Sequence, residues 1–214
     1  MCSDHQHHRV RGDVRMVLRA RWLTVAVAVA VLVAGCSSGP EPTPQLMCTP
    51  GPVELGQTAP PPHECDRVAW EKDQERLKLE KQAVVIHSSF NRDYQRLVWA
   101  GGSETLTPEL EGYLAEPMRG SIQRLLARQK QDGRFVEGPR PKLTEKVIPN
   151  PHIDGSEVAL KTCSDTRGAA MFWPNGEHAG NGRVYVAIRL LKHYPDGSLR
   201  LFYTDGDDED SCPF

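Results

Sequence analysis

Apolar residues recur every three or four positions over the long stretch 66–100, which predicts a single helix with one apolar face. Asp66 fits the N-cap position, and Gly101-Gly102 supplies the stop signal. The residues predicted to face the core are Leu79, Ala83, Ile86, Phe90, Tyr94 and Leu97.

Two shorter helices are predicted to follow. Thr107 caps the first, with Pro108 at its first helical position. Glu116-Pro117 begins the second, and Asp132-Gly133 ends it. In this helix, the third of the chain, the side chains predicted to face inward are Met118, Ile122, Leu125 and Leu126.

Beyond these helices the apolar period changes to two, which is typical of strands. Alternation is clear over 157–163, 183–190 and 199–204, and 169–173 gives a weaker signal. A Pro-Asp-Gly-Ser turn at 195–198 joins the last two strands into a hairpin. Helices followed by antiparallel strands predict an α+β fold.

The N-terminal segment 1–35 has the order of parts found in a signal peptide. Arg15, Arg19 and Arg21 precede an apolar run over 23–33. That run is shorter than the roughly 20 apolar residues that a spanning helix needs. A transmembrane anchor is the weaker interpretation, and Met16 is an alternative start that gives a compact leader.

The segment Leu32-Val33-Ala34-Gly35-Cys36 looks like the lipobox of bacterial lipoproteins. This resemblance implies cleavage before Cys36 and lipid attachment to its Sγ atom. Two or three acyl chains would hold the protein stably at a membrane. We therefore expect a lipid-anchored protein that faces the extracytoplasmic side of the cell membrane.

The chain after the leader is acidic and begins with a Pro-rich stretch. The leader carries five of the 26 basic residues and two of the 28 acidic ones, which leaves 21 and 26, a net charge of −5. This balance argues against a nucleic-acid partner. Residues 36–65 hold many of the 17 prolines and lack apolar periodicity, so we expect an extended tether there.

Four cysteines remain once Cys2 is removed with the leader and Cys36 is lipidated. An even number in an exported chain predicts disulfides, for which three pairings exist. We favour Cys48–Cys65, which flank a Pro-rich loop, and Cys163–Cys212, which would tie the C-terminal tail to a strand. A four-cysteine zinc site is the weaker alternative, because no CxxC pair is present.

The order of elements over 66–214 resembles the NTF2-like lipoproteins of actinobacteria. The likeness rests on the lipobox, the Pro-rich tether, the Thr107-Pro108-Glu109-Leu110 helix start, Cys163 in a strand and the closing hairpin around 195–198. It implies a cone-shaped α+β domain in which a long helix and two short helices pack on a curved antiparallel sheet. No catalytic signature accompanies the resemblance.

NTF2-like domains often hold a pocket at the open end of the cone, and aromatic residues are the candidates to line it. A core role is the alternative for each of them. We expect a non-catalytic module that binds a small apolar ligand or an envelope protein, without a cofactor or metal. The candidate lining residues are Tyr94, Trp99, Tyr113, Phe172, Trp173 and Tyr185.

A lyase- or isomerase-like enzyme is the alternative function, with an Asp or His as general base. Asp154 is predicted to lie in a turn and His178 in a mobile loop, and the acidic run 205–210 is predicted to be a solvated tail rather than a calcium loop. The acid–base candidates are His87, Asp93, His152, Asp154 and His178.

Overall fold

The computed structural model describes residues 45–50, 60–148 and 155–214, all within one compact unit that spans Pro44–Phe214. Within these residues the fold is α+β. Three helices precede most of the strands, and the strands form separate open antiparallel sheets rather than a closed barrel. The α+β prediction is confirmed.

Helix α1 spans Arg67–Trp99 and begins and ends as predicted. The Asp66 side chain accepts a hydrogen bond of 2.7 Å from the Ala69 N–H and so caps the first turn. After α1, Gly101 and Gly102 have φ values of 85° and 87°, a region that glycine enters without a steric penalty.

Helices α2 (Pro108–Gly112) and α3 (Met118–Asp132) form where they are predicted. The prediction that Leu125 of α3 faces inward is wrong, because its side chain is 51% exposed. Thr107 Oγ1 accepts a hydrogen bond of 3.3 Å from the Leu110 N–H. Gly133, with φ of 66°, provides the left-handed C-cap of α3. Local capping signals therefore mark the start of α1, the start of α2 and the end of α3.

The larger sheet has four antiparallel strands in the order β4-β5-β8-β9. The hairpin between β8 and β9 closes as predicted, with a 2.9 Å hydrogen bond from the Tyr194 N–H to the Ser198 carbonyl. The strands are β4 (Lys142–Ile148), β5 (Val158–Asp165), β8 (Val184–His193) and β9 (Leu199–Glu209).

Strand β9 extends through most of the acidic run, so the prediction of a tail at 205–210 is wrong. Glu209 pairs with Val184, and Asp208 pairs with Tyr185. Ladder hydrogen bonds use backbone atoms, and an edge strand tolerates charged side chains because one of its sides faces water. The acidic side chains remain exposed, but their backbone is part of the sheet.

A smaller sheet has the order β3-β6-β7, with β3 at Phe135–Glu137, β6 at Ala170–Phe172 and β7 at His178–Asn181. The weak strand signal at 169–173 is confirmed by β6. The prediction of a mobile loop around His178 is wrong, because His178 begins β7 and pairs with Phe172. Strands β3, β4 and β7 were not predicted, since they are short or largely polar.

The main core lies between α1 and one face of the four-stranded sheet. Leu160 belongs to this core, whereas its neighbour Ala159 belongs to a second, smaller cluster. Successive strand residues point to opposite faces, so the sheet buries apolar side chains on both sides. The main cluster includes Ala83, Phe90, Leu110, Leu114, Leu126, Leu160, Leu191 and Leu201.

Part of the segment predicted to be an extended tether packs on α1. Strands β1 (Met47–Cys48) and β2 (His63–Glu64) form a two-stranded sheet. The Thr49 N–H donates a 2.8 Å hydrogen bond to Asp73 of α1. The buried Asp73 carboxylate of α1 therefore holds residue 49 of this segment against the domain.

The structure has both disulfides that the sequence analysis favours. Cys48 and Cys65 are joined with Cα atoms 5.8 Å apart, and Cys163 and Cys212 with Cα atoms 5.7 Å apart. The second bond ties the end of the chain to β5. The four sulfur atoms proposed as zinc ligands are therefore all used in disulfides.

Candidate ligand-binding cleft

A cleft of about 770 Å³ opens between the C-terminal half of α1 and residues of both larger sheets. Helix α1 contributes residues at the spacing i, i+3, i+4 and i+7, which share one helix face. That face continues the apolar stripe that packs on the core. The α1 residues that line the cleft are Asn91, Tyr94, Gln95, Val98 and Trp99.

Strand register determines which sheet residues form the wall of the cleft opposite α1. Ser164 of β5 pairs with Tyr185 of β8, which pairs with Asp208 of β9. Residues paired across a sheet project from the same face, so these three side chains form a row. All three line the cleft.

Gly206 allows β9 to lie close to β8 in this wall. It pairs with Ala187, and a Cβ atom at Gly206 would lie 2.3 Å from the Val186 carbonyl oxygen and 2.6 Å from the Ala187 Cβ. Any side chain here would displace strand β8. Gly206 lines the cleft and keeps this part of the wall free of side chains.

Three of the six candidate lining residues line this cleft: Tyr94, Trp99 and Tyr185. The other three lie elsewhere. Tyr113 packs against the main core, and the Phe172 ring stacks on Phe135 with centroids 5.6 Å apart. Trp173 is 40% exposed beside the Arg134 guanidinium, which is 5.5 Å from its ring centroid.

Hydrogen bonds and burial fix the aromatic wall. The Trp99 Nε1–H donates a 3.1 Å hydrogen bond to the Gly138 carbonyl, which orients the indole. Burial raises the pKa of Tyr94 above its ordinary value, while the charge of Arg189 opposes this effect. Tyr94 is therefore a neutral phenol at any physiological pH.

Charged residues at the cleft were not predicted from the sequence. Arg183 forms an ion pair with Asp208, and Arg134 forms one of 2.7 Å with Asp132. Arg134, Arg183 and Asp208 line the cleft. Helical spacing from Tyr94 could have indicated the polar α1 residues, but no local signal brings positions 134, 183 and 208 together.

The acid–base candidates lie outside the cleft lining or outside the described residues. His152 and Asp154 are outside the described residues. Asp93 lies 3.6 Å from Arg92 and 3.8 Å from Arg96 in ion pairs on α1. These contacts give Asp93 a structural partner.

His87 and His178 each have a polar partner. His178 is exposed, and its Nε2 lies 2.8 Å from Asn181 Oδ1. His87 is only 1% exposed, and its Nδ1 lies 2.5 Å from Glu145 Oε1. Neither histidine is among the residues that line the cleft.

Two findings concern metals and membranes. Among the described residues, no group of three or more His, Cys, Asp or Glu side chains is arranged to hold a metal ion. No helix within the described ranges is long and apolar enough to cross a membrane. The apolar run 23–33 and the lipid-attachment candidate Cys36 lie outside the described residues.

No model of a known protein family matches this chain, and no curated protein is significantly similar to it. The resemblance to NTF2-like lipoproteins therefore stays a prediction from the order of elements.

Proposed function

We propose that this protein is a lipid-anchored, extracytoplasmic binding module of the cell envelope with an NTF2-like domain. The cleft beside α1 carries the proposal. A concave site of several hundred Å³ with aromatic walls and a few polar groups is the usual form of a small-molecule site. Tyr94, Trp99 and Tyr185 supply that aromatic surface.

Two features support the proposed location of this module at the outer face of the membrane. The lipobox-like segment ending at Cys36 would retain the domain at the membrane surface. The disulfides Cys48–Cys65 and Cys163–Cys212 suit an oxidising compartment outside the cytoplasm. A ligand captured there would be one that is met in the envelope.

The enzyme alternative has one observation in its favour. Glu145 holds Nδ1 of His87, an arrangement that orients a histidine for proton transfer at Nε2. However, neither residue lines the cleft, so the cleft and the acid–base pair are separate. The binding function therefore explains the cleft, whereas the enzyme alternative does not. A compound converted by the unmodified protein but not by His87→Gln would favour the enzyme alternative over the binding function.

The experiment uses N-phenyl-1-naphthylamine, a neutral apolar dye that fluoresces when it leaves water. The mature chain without its lipid should enhance the dye fluorescence in a saturable way. Tyr185→Ala should weaken the affinity about tenfold, the change expected from losing one aromatic contact of about 1.4 kcal/mol.

Tyr203→Ala is the matched control. Tyr203 lies on the neighbouring strand β9, is 41% exposed and does not line the cleft. Its replacement should leave dye affinity unchanged. Equal losses in both variants, or no saturable binding to the unmodified protein, would contradict the proposed site.

A further inference from the structure

Gln95 of α1 is a buried polar residue on the wall of the cleft. It is only 7% exposed, and it lines the cleft beside Asn91, Val98 and Trp99 on the same face of the helix. Within the described part of the chain, its side-chain amide makes no hydrogen bond. A buried amide without a partner is uncommon in folded proteins and calls for an explanation.

The lack of a partner separates Gln95 from the other buried polar residues that the structure describes. The amide of Gln129, for example, donates hydrogen bonds of 2.8 Å to the Val98 carbonyl and 3.4 Å to the Arg134 carbonyl. None of these other residues lines the cleft. They all have a side-chain partner, and they are Asp73, His87, Gln129 and Thr162.

The Gln95 amide is accessible from the cleft. In the described residues, the fully enclosed side-chain nitrogens and oxygens that lack a partner are the Nε atoms of three arginines. The Gln95 amide is not one of these atoms, so the small accessible part of this residue includes the amide. Because Gln95 lines the cleft, a ligand there would take the amide out of water. A ligand that offers no hydrogen bond in return would bind poorly.

The chemistry of this amide indicates what the ligand must offer. The glutamine side chain has a carbonyl acceptor and an NH₂ donor next to each other, and a carboxamide presents the complementary pair. Asn91 lies one helical turn before Gln95 and also lines the cleft, so it places a second amide on this face. Asn91 is partly buried, and its side chain too makes no hydrogen bond within the described residues.

The charged residues of the lining favour an uncharged head group over an anion. Both cations of the lining are already paired, Arg134 with Asp132 and Arg183 with Asp208. The remaining charged residue of the lining is Asp207, whose carboxylate is exposed and would repel an anion.

We propose, building on the binding function above, that Gln95 determines the specificity of the cleft and that the ligand is a neutral molecule with a carboxamide group on an apolar body. The carboxamide would form two hydrogen bonds with the Gln95 side chain. The apolar body would lie against Val98 and Trp99, which follow three and four positions later on the same helix face.

Two naphthalene compounds of equal size test this proposal on the mature chain without its lipid. 2-Naphthamide carries a carboxamide, whereas 2-acetonaphthone has a methyl group in place of the NH₂ and keeps only the acceptor. Displacement of bound N-phenyl-1-naphthylamine gives the affinity of each compound. The unmodified protein should bind the amide about ten times more tightly, because the ketone leaves the Gln95 carbonyl unpaired. It should bind the anion 2-naphthoate more weakly than the amide.

Gln95→Met keeps the length of the side chain and removes both hydrogen-bonding groups. It should abolish the preference by weakening 2-naphthamide binding about tenfold, while 2-acetonaphthone binds at least as well as before. Gln82→Met is the matched control, because Gln82 is an exposed glutamine of α1 outside the cleft lining. It should keep the preference for the amide.

Melting curves of the unliganded variants distinguish a ligand-binding role from a structural one. Gln95→Met should not lower Tm, because no protein group loses a hydrogen bond. Gln129→Met should lower Tm, since it removes the hydrogen bonds to the Val98 and Arg134 carbonyls. A Gln95→Met variant that fails to fold, or that loses as much Tm as Gln129→Met, would overturn the role of Gln95 in ligand binding.

The outcomes separate the two proposals. Absence of saturable dye binding to the unmodified protein would overturn the binding function itself. Saturable dye binding without a preference for 2-naphthamide over 2-acetonaphthone would overturn the role of Gln95 and leave the binding function standing. A preference that Gln95→Met retains, or that Gln82→Met also loses, would do the same. Tighter binding of 2-naphthoate than of 2-naphthamide would overturn the neutral head group.

Discussion

His87 in the middle of α1 and Glu145 in the edge strand β4 lie within hydrogen-bonding distance, with Nδ1 2.5 Å from Oε1. Ser88, the next residue of α1, donates from Oγ to the same carboxylate at 3.1 and 3.0 Å. One acidic side chain thus holds two consecutive helix residues. This polar contact attaches the long helix to the edge of the sheet.

Removal of Glu145 should therefore destabilise the fold. Glu145→Ala leaves the buried His87 imidazole without its partner, and an unsatisfied buried polar group costs about 1–3 kcal/mol. Urea denaturation should show that loss in the free energy of unfolding. Glu137→Ala, an exposed glutamate on β3, should change it by less than about 0.5 kcal/mol. Similar losses in the two variants would refute a specific contact between α1 and β4.

Asp73 should make the contact between α1 and the segment 45–50 depend on pH. Burial by itself raises the pKa of Asp73, but hydrogen bonds from the Thr49 N–H and Arg76 outweigh it and leave the pKa below its ordinary value. A carboxyl group with a lowered folded-state pKa stabilises the fold above its unfolded pKa of about 3.9. That stabilisation is lost as the pH falls through the folded-state value.

Asp73→Asn should consequently cost about 1–3 kcal/mol of unfolding free energy at pH 7. The difference from the unmodified protein should shrink below about pH 4, where Asp73 itself becomes protonated. Denaturation series from neutral to strongly acidic pH measure this, with the exposed Glu75→Gln as control. A difference that stays constant over the whole series would show that the charge of Asp73 has no part in the contact.

The disulfide between Cys163 and Cys212 should contribute strongly to stability. It closes a loop with a sequence separation of 49, against 17 for Cys48–Cys65. In the chain-entropy model these loops correspond to about 4 and 3 kcal/mol. Replacing Cys163 and Cys212 with Ala should therefore lower Tm more than replacing the other pair. The reverse order would mean that packing around β1 and β2 outweighs the loop entropy.

Anchoring is tested by Cys36→Ala. If Cys36 is lipidated, the variant should leave the membrane fraction and accumulate as an uncleaved precursor, because the acceptor sulfur is gone. Cell fractionation with immunoblotting measures both effects. Cys2→Ala is a suitable control, since that residue precedes the apolar run. A processed, membrane-bound Cys36→Ala product would contradict the lipoprotein interpretation.

The sequence by itself determined the elements whose signals are local. Asp66, Thr107 and Gly133 occupy capping positions that are satisfied within a few residues of chain, so the helix bounds could be predicted. The 195–198 turn likewise fixed the β8–β9 hairpin. Strand β4 escaped prediction because its polar side chains give a weak alternation, and its pairing with β5 comes from the sheet.

Only the tertiary structure decided which residues form the site. Tyr94 and Tyr113 look equally suitable in the sequence, yet only Tyr94 lines the cleft. Tyr185 belongs to an alternating strand, and its alternation does not say which face α1 covers. That choice depends on pairing with Ser164 and Asp208, which lie 21 and 23 positions away in the chain. Local sequence patterns specify the faces and the ends of helices and strands. Long-range strand register and packing determine which of these faces meet, and the cleft forms where a face of α1 meets the sheets.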